Sequence, residues 1–173
     1  MHLLPGNGVS GAGAVLSELH RTHYHDLVGL AAIYLADRGD CEDAVQESFV
    51  RVWLGWDRVR DPEKVLVYLR RAVLNEAKSQ LRHRGVVRRH RADEARTASS
   101  SEDCCLRDLA DRRIISAVRL LSGRQRECVV LRFYLDLSEK ETGDVLGIGP
   151  GAVKQHVSRA KRKLARKLRG IEQ

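Results

Sequence analysis

A chain of 173 residues has room for one ordinary domain or two small ones, and 31 lysines and arginines against 23 aspartates and glutamates suit an anionic partner such as nucleic acid. Aromatic residues make up only 5%, which disfavours a single-strand binder built on stacked bases, and no apolar run has the length of a membrane span. The start, Met1-His2-Leu3-Leu4-Pro5-Gly6, lacks both a basic leader and an apolar core, so a cytoplasmic protein without a signal peptide is expected.

Gly6, Gly8, Gly11 and Gly13 mark residues 1–13 as a disordered tail. Helical periodicity then begins near Val15, with Leu16, Leu19, Tyr24, Leu27, Leu30, Ala31 and Tyr34 on one broad apolar face. His20 and His23 share a face at i, i+3, but no carboxylate or cysteine completes a metal set. Asp37-Arg38-Gly39-Asp40 is a turn, and Asp40 is placed to cap a second helix running to about Trp56. Its inward residues are Ala44, Val45, Phe49, Val52, Trp53 and Trp56. Its outer face, Glu42, Asp43, Gln46, Glu47 and Arg51, is largely acidic. Early acidic residues suit the helix dipole, and the same face suits docking on a basic partner surface.

Asp61-Pro62 opens a third, long helix, with Pro62 inside its first turn. Val65, Leu66, Leu69, Ala72, Val73, Ala77 and Leu81 form its buried stripe; Arg70, Arg71, Lys78, Arg82 and Arg84 lie on other faces. Asn75 and Ser79 stand uncharged among these cations, a mixture that suits phosphates together with base edges. From Arg91 to Asp103 there is little to bury, so residues 91–105 read as a flexible linker between two modules, 14–90 and 106–173. Cys104 and Cys105 fall in it. With Cys41 and Cys128 they show no Cys-x-x-Cys spacing, so zinc is not expected.

The second module opens with an apolar helix containing Leu109, Ile114 and Val118. Ser122-Gly123-Arg124-Gln125 has the pattern of a capping box ahead of a helix with Val129, Val130 and Phe133. A second capping box, Ser138 with Glu141, starts the next helix, which Gly147 ends in the left-handed conformation. Pro150 suits the first turn of the last helix, and Gly143 lets that helix cross close by. Between Gly151 and Gly170 there are eight lysines and arginines and no acidic residue, opposite an apolar stripe of Val153, Val157, Ala160, Leu164 and Leu168. This is a helix-turn-helix, whose second helix enters a DNA major groove. The expected fold is all-α: two small helical domains, the second ending in a helix-turn-helix. There is no catalytic constellation, and no cofactor is implied.

The segment Asp40 to Trp53 resembles region two of bacterial RNA polymerase sigma factors, and Tyr68 to Asn75, running into Leu81-Arg82-His83-Arg84, resembles its promoter-melting part. Leu121 to Phe133, with the helix-turn-helix behind it, resembles region four. The order and spacing of the motifs, with a linker in place of a middle region, are those of the compact extracytoplasmic-function, or group four, sigma factors. The resemblance implies that Glu42, Asp43, Gln46, Glu47 and Arg51 grip the clamp helices of core RNA polymerase. It implies that Arg71, Asn75, Lys78, Arg82 and Arg84 engage the −10 element and its non-template strand. It implies that Lys154, Gln155, His156 and Arg159 approach bases of the −35 element, with Arg162 on its phosphates or on the polymerase itself. An anti-sigma partner is expected from the family type. The family often has Trp at Tyr68, Ala at Gly143, and Ser or Glu where this chain has Gly149-Pro150-Gly151.

Two other readings stay open on the residues alone. One is a helix-turn-helix regulator with an N-terminal dimerisation or sensor module; the other is an RNA-binding adaptor. The first accounts for residues 122–170 equally well, but not for an acidic second helix followed by a basic, Asn-bearing third.

Overall fold

The structure, a computed structural model, describes residues 8–59, 61–91 and 112–169. Among these residues every regular element is a helix, in two helical domains. The first contains α1 (Gly8–Ala31), α2 (Arg38–Leu54) and α3 (Val65–Arg91); the second contains α4 (Arg112–Arg119), α5 (Gly123–Phe133), α6 (Glu139–Leu146) and α7 (Pro150–Arg169). The expected linker falls outside the described residues apart from Arg91, which ends α3, and so do Cys104 and Cys105.

The helix starts follow local chemistry, with several corrections. α1 begins at Gly8, not at residue 14, and Ala12 is buried. Gly8, Gly11 and Gly13 of the expected tail carry the first turns because Ala12 among them, and Val15 and Leu16 just after, have a core to join. α2 is capped by Asp37, whose carboxylate accepts from the amide of Asp40 at 3.2 Å, and not by Asp40. Asp40 is one turn inside, where its carboxylate receives Arg84 from α3. Asp61 accepts from the amide of Glu63 at 3.1 Å, and Pro62 leads a 3-10 turn, Pro62–Lys64, into α3. At α5, Ser122 holds the N-cap position, but its hydroxyl makes no capping bond. The expected box fails there because its other half, Gln125, is turned inward and buried.

Leu27, Leu30, Val45, Leu69 and Val73 of the first domain share one apolar cluster with Leu131, Val145 and Val153 of the second. Each such side chain contributes about 1.5–3 kcal/mol on leaving water. α3 therefore lies between α1 and α2 on one side and α6 on the other. The expected stripe of α3 holds at Val65, Leu69, Val73 and Ala77, while Leu81 is 44% exposed. Trp53, expected inside, is 40% exposed beside Val50 and Leu54. The Trp53 ring lies against Gly13 of α1, which covers only part of it.

Candidate nucleic-acid interface

The turn between α6 and α7 is built as its residues require. The Ser138 hydroxyl accepts from the amide of Glu141 at 3.1 Å, and the Glu141 carboxylate accepts from the amide of Ser138 at 2.8 Å. The bonds from Ser138 hold the Glu141 carboxyl below its ordinary range. Gly147 takes φ 67° and ψ 37°, a left-handed conformation that disfavours a side chain. Gly143 is needed for a different reason from the expected close crossing of helices. A Cβ there would lie 2.5 Å from the Ile148 carbonyl oxygen, so it is the turn itself that folds back against α6. The Gly149 carbonyl accepts from the amides of Ala152 and Val153, and α7 starts without a side-chain cap.

On α7, Val153 and Ala160 are fully buried, and Val157 and Leu164 pack at the edge of the core. This pins the opposite face outward. Lys154, Gln155, Arg159 and Arg162 are exposed, whereas His156 is half-buried at the margin. Lys161 lies 4.8 Å over the Phe133 ring, a cation–π contact that draws it toward α5. A face with lysine, arginine and amide groups and no carboxylate can bind phosphates and donate to guanine edges.

The cations of α3 are placed differently. Arg71 donates from Nε to the Val145 carbonyl at 2.9 Å and from Nη2 to the Asp144 carbonyl at 2.6 Å, at the end of α6. Lys78 Nζ lies 3.0 Å from Glu127 Oε1 on α5. Arg84 is held by Asp40, which raises its pKa further. Asn75 and Arg82 are exposed. The structure thus groups the five residues on α3 but leaves only Asn75 and Arg82 facing water without such a bond.

The acidic face of α2 is present in part. Asp43, Gln46 and Glu47 are exposed together. Glu42 accepts from Arg38 Nε at 2.8 Å. Arg51 does not project with them as a free group: its Nη2 is 2.7 Å from Glu76 Oε2 of α3 and 3.6 Å from Glu47 Oε1. No local pattern announces this pair, because Glu76 is a lone carboxylate in a helix read as basic, 25 positions from Arg51.

Glu127 was missed as well. It is 2% exposed, and the sign was a carboxylate set directly before Cys128-Val129-Val130-Leu131, on a helix with little exposed surface to spare. Cys128 is buried, which pushes its thiol up to about 11. The His20 ring stacks 4.6 Å from Tyr24 and 5.3 Å from Phe49. Among the described residues no helix is long and apolar enough to cross a membrane, and no group of three His, Cys, Asp or Glu is arranged to hold a metal ion.

Comparison with known proteins places these surfaces in a family. The family model for Sigma-70 region 2 matches residues 19–87, and that for Sigma-70, region 4 matches residues 111–164. The RNA polymerase sigma-E factor of Streptomyces avermitilis is 30% identical over 152 residues, 87% of this chain and 83% of that protein. The ECF RNA polymerase sigma factor SigM of Mycobacterium tuberculosis is 27% identical over 92% of this chain and 80% of its own length. Among solved structures, CnrH in complex with the cytosolic domain of CnrY aligns with a TM-score of 0.71 at 26% identity, over 95% of this chain and 94% of that one. Two matched regions in the right order, the first taking in the charged faces of α2 and α3 and the second that of α7, together with the 30% identical relative, make this chain a member of the sigma-70 family of RNA polymerase sigma factors, in its extracytoplasmic-function group.

Proposed function

We propose that this sigma factor recruits core RNA polymerase through Asp43, Gln46 and Glu47, with Glu42 and Arg51 supporting that face. It then reads promoters with both domains. The observation that carries the reading is the exposed, carboxylate-free face of α7 on a capped helix-turn-helix. In this reading residues 106–173 bind the −35 element, with Lys154, Gln155 and Arg159 nearest the bases, His156 at the margin and Arg162 on phosphates. Residues 14–90 bind the −10 element through Arg71, Asn75, Lys78, Arg82 and Arg84 and hold the non-template strand during melting. Residues 91–105 tether the two. Nucleotide chemistry belongs to the polymerase, and the site of action is the cytoplasm, where that polymerase works.

Tethering makes weak individual contacts sufficient, because the polymerase presents both elements at once. Each neutralised duplex phosphate steepens the salt dependence of binding by about 0.9 in log–log slope. CnrH is seen bound to a cytosolic domain of CnrY, and a protein partner of that kind, an anti-sigma factor, is proposed for this chain too.

Run-off transcription with purified core polymerase lacking sigma tests the reading. Transcripts that require this chain are expected. A chain that binds promoter DNA but neither binds core polymerase nor supports transcripts would instead be a helix-turn-helix regulator.

A further inference from the structure

The arginines that reach from one domain to the other end on main-chain oxygens: Arg71 on Asp144 and Val145, Arg126 of α5 on Ile33 at 2.9 Å, and Arg119 of α4 on Ala32 and Leu35. Arg51 of α2 is set differently, between two carboxylates of its own domain. Its Nη2 is 2.7 Å from Oε2 of Glu76 on α3 and 3.6 Å from Oε1 of Glu47, one turn back on α2. The side chains of Arg51 and Glu47 are about half exposed, whereas that of Glu76 is 11% exposed. Nη2 meets Glu76 Oε2 without the direction of a hydrogen bond, so charge alone draws them together. The other oxygen, Oε1, accepts from Gln80 Nε2 at 3.3 Å, one turn along α3, and this fixes the carboxylate.

Glu76 is a poor choice for stability. A carboxylate taken out of water loses about as much in hydration as it gains from its partner, and an apolar side chain would avoid that cost on a stretch where Val73 and Ala77 are fully buried. What the carboxylate does is decide where Arg51 points. Left to α2, Arg51 would take Glu47, because a glutamate four residues ahead of an arginine is the favourable order for a helical ion pair. That bridge would lay a guanidinium over one of the two carboxylates of the exposed Asp43, Gln46 and Glu47 face and cancel its charge. Glu76 is closer, and it stands on the less hydrated side, where charges attract more strongly. The guanidinium is therefore drawn to α3.

We propose that Glu76 is a positioning residue for polymerase docking: it holds Arg51 against α3 and so keeps the Glu47 carboxylate open to a cation of the polymerase. This rests on the docking role of Glu47 proposed above. Arg51 and Glu76 cancel each other, and the face that meets the polymerase keeps the charges of both Asp43 and Glu47. A residue of the basic helix thus sets the charge of the acidic one.

Association of the fluorescein-labelled full chain with core polymerase lacking sigma tests this, read by anisotropy at low salt, with helix content followed by circular dichroism in each variant. Glu76→Gln keeps the size of the side chain but releases Arg51. It is expected to weaken association about fivefold, the upper range for an exposed ion pair that has to be broken first. Glu76→Asp keeps the charge and is expected to stay within about twofold of wild type. The sharpest comparison pairs Glu76 with Glu47. Glu47→Gln alone should weaken association about tenfold, as loss of an interfacial charge contact does. Glu47→Gln combined with Glu76→Gln should be no weaker than Glu47→Gln alone, because Glu76 acts only through the carboxylate that is gone. A merely structural Glu76 would instead multiply the two losses to about fiftyfold. Should Glu76→Gln fail to fold, Glu76→Leu, which removes the charge and leaves no polar group in its place, carries the same comparison. Losses that multiply, an undiminished Glu76→Gln, or a Glu76→Asp as weak as Glu76→Gln each overturn the positioning role and leave the docking face standing. An undiminished Glu47→Gln overturns the docking role of Glu47 itself.

Discussion

On α7, Lys154, Arg159 and Arg162 stand in water beside Gln155, while on α3 Arg71, Lys78 and Arg84 are each bonded within the chain. The two helices have similar charge and opposite availability. The cause is where each sits in the fold. α7 is the last helix, packed on one side through Val153 and Ala160, and among the described residues nothing covers its other face. α3 lies between two layers, so its cations meet the carbonyls and carboxylates of α5, α6 and the start of α2. A count of lysines and arginines therefore measures what a helix is able to bind, and packing decides whether it is free to do so.

Charge reversal at Asp43 should have the largest effect. It replaces an exposed acidic group on α2 with a like charge facing a basic polymerase surface, and such juxtapositions cost several kcal/mol. Asp43→Lys is expected to weaken association with core polymerase about a hundredfold, read by fluorescence anisotropy, with α7 still folded. Unchanged association would show that the docking face lies elsewhere, the exposed Val50, Trp53 and Leu54 being next to it.

Next come the free cations of α7. Lys154→Ala and Arg159→Ala should each lower transcription from promoters that depend on the −35 element about tenfold, the worth of one good base contact. Binding to core polymerase should not change. Equal losses in both assays would erase the distinction between α7 and α2 as DNA and polymerase faces.

The smallest effects test the turn. Gly143→Ala drives a Cβ against the Ile148 carbonyl and should destabilise the second domain by about 1–3 kcal/mol, visible as a lower Tm in calorimetry. Gly149→Ser, by contrast, puts a side chain into open space at the start of α7 and should stabilise it by only about a few tenths of a kcal/mol. A neutral Gly143→Ala would mean that the turn has slack it does not show.

What the sequence made legible divides along the same line. The Ser138–Glu141 box, the left-handed Gly147, Pro150 at the start of α7 and the outward face of that helix all depend on residues within a turn or two of each other, and all are found. The box at Ser122 has the same spelling and fails, because Gln125 is drawn into a core whose other wall is far away in sequence. Asp40 and Arg84 are 44 positions apart, Arg71 and Asp144 are 73, and Tyr34 and Glu127 are 93. No local pattern encodes such pairings. The two-domain plan was legible from composition; that the domains share a core was not, since each apolar stripe is satisfied on paper by its own neighbours.

The arginine caps that join the domains end on main-chain oxygens at Ala32, Ile33, Leu35, Asp144 and Val145. Every amino acid supplies that oxygen, so the caps themselves do not depend on the side chains at the receiving positions; Ala32, Ile33, Leu35 and Val145 are held to apolar types by the core they line. In each cap it is the arginine alone whose side-chain chemistry the bond requires. Caps of this kind leave no trail of paired substitutions, so a search for correlated changes between the two halves of the chain would pass over them and find only the side-chain contacts beside them.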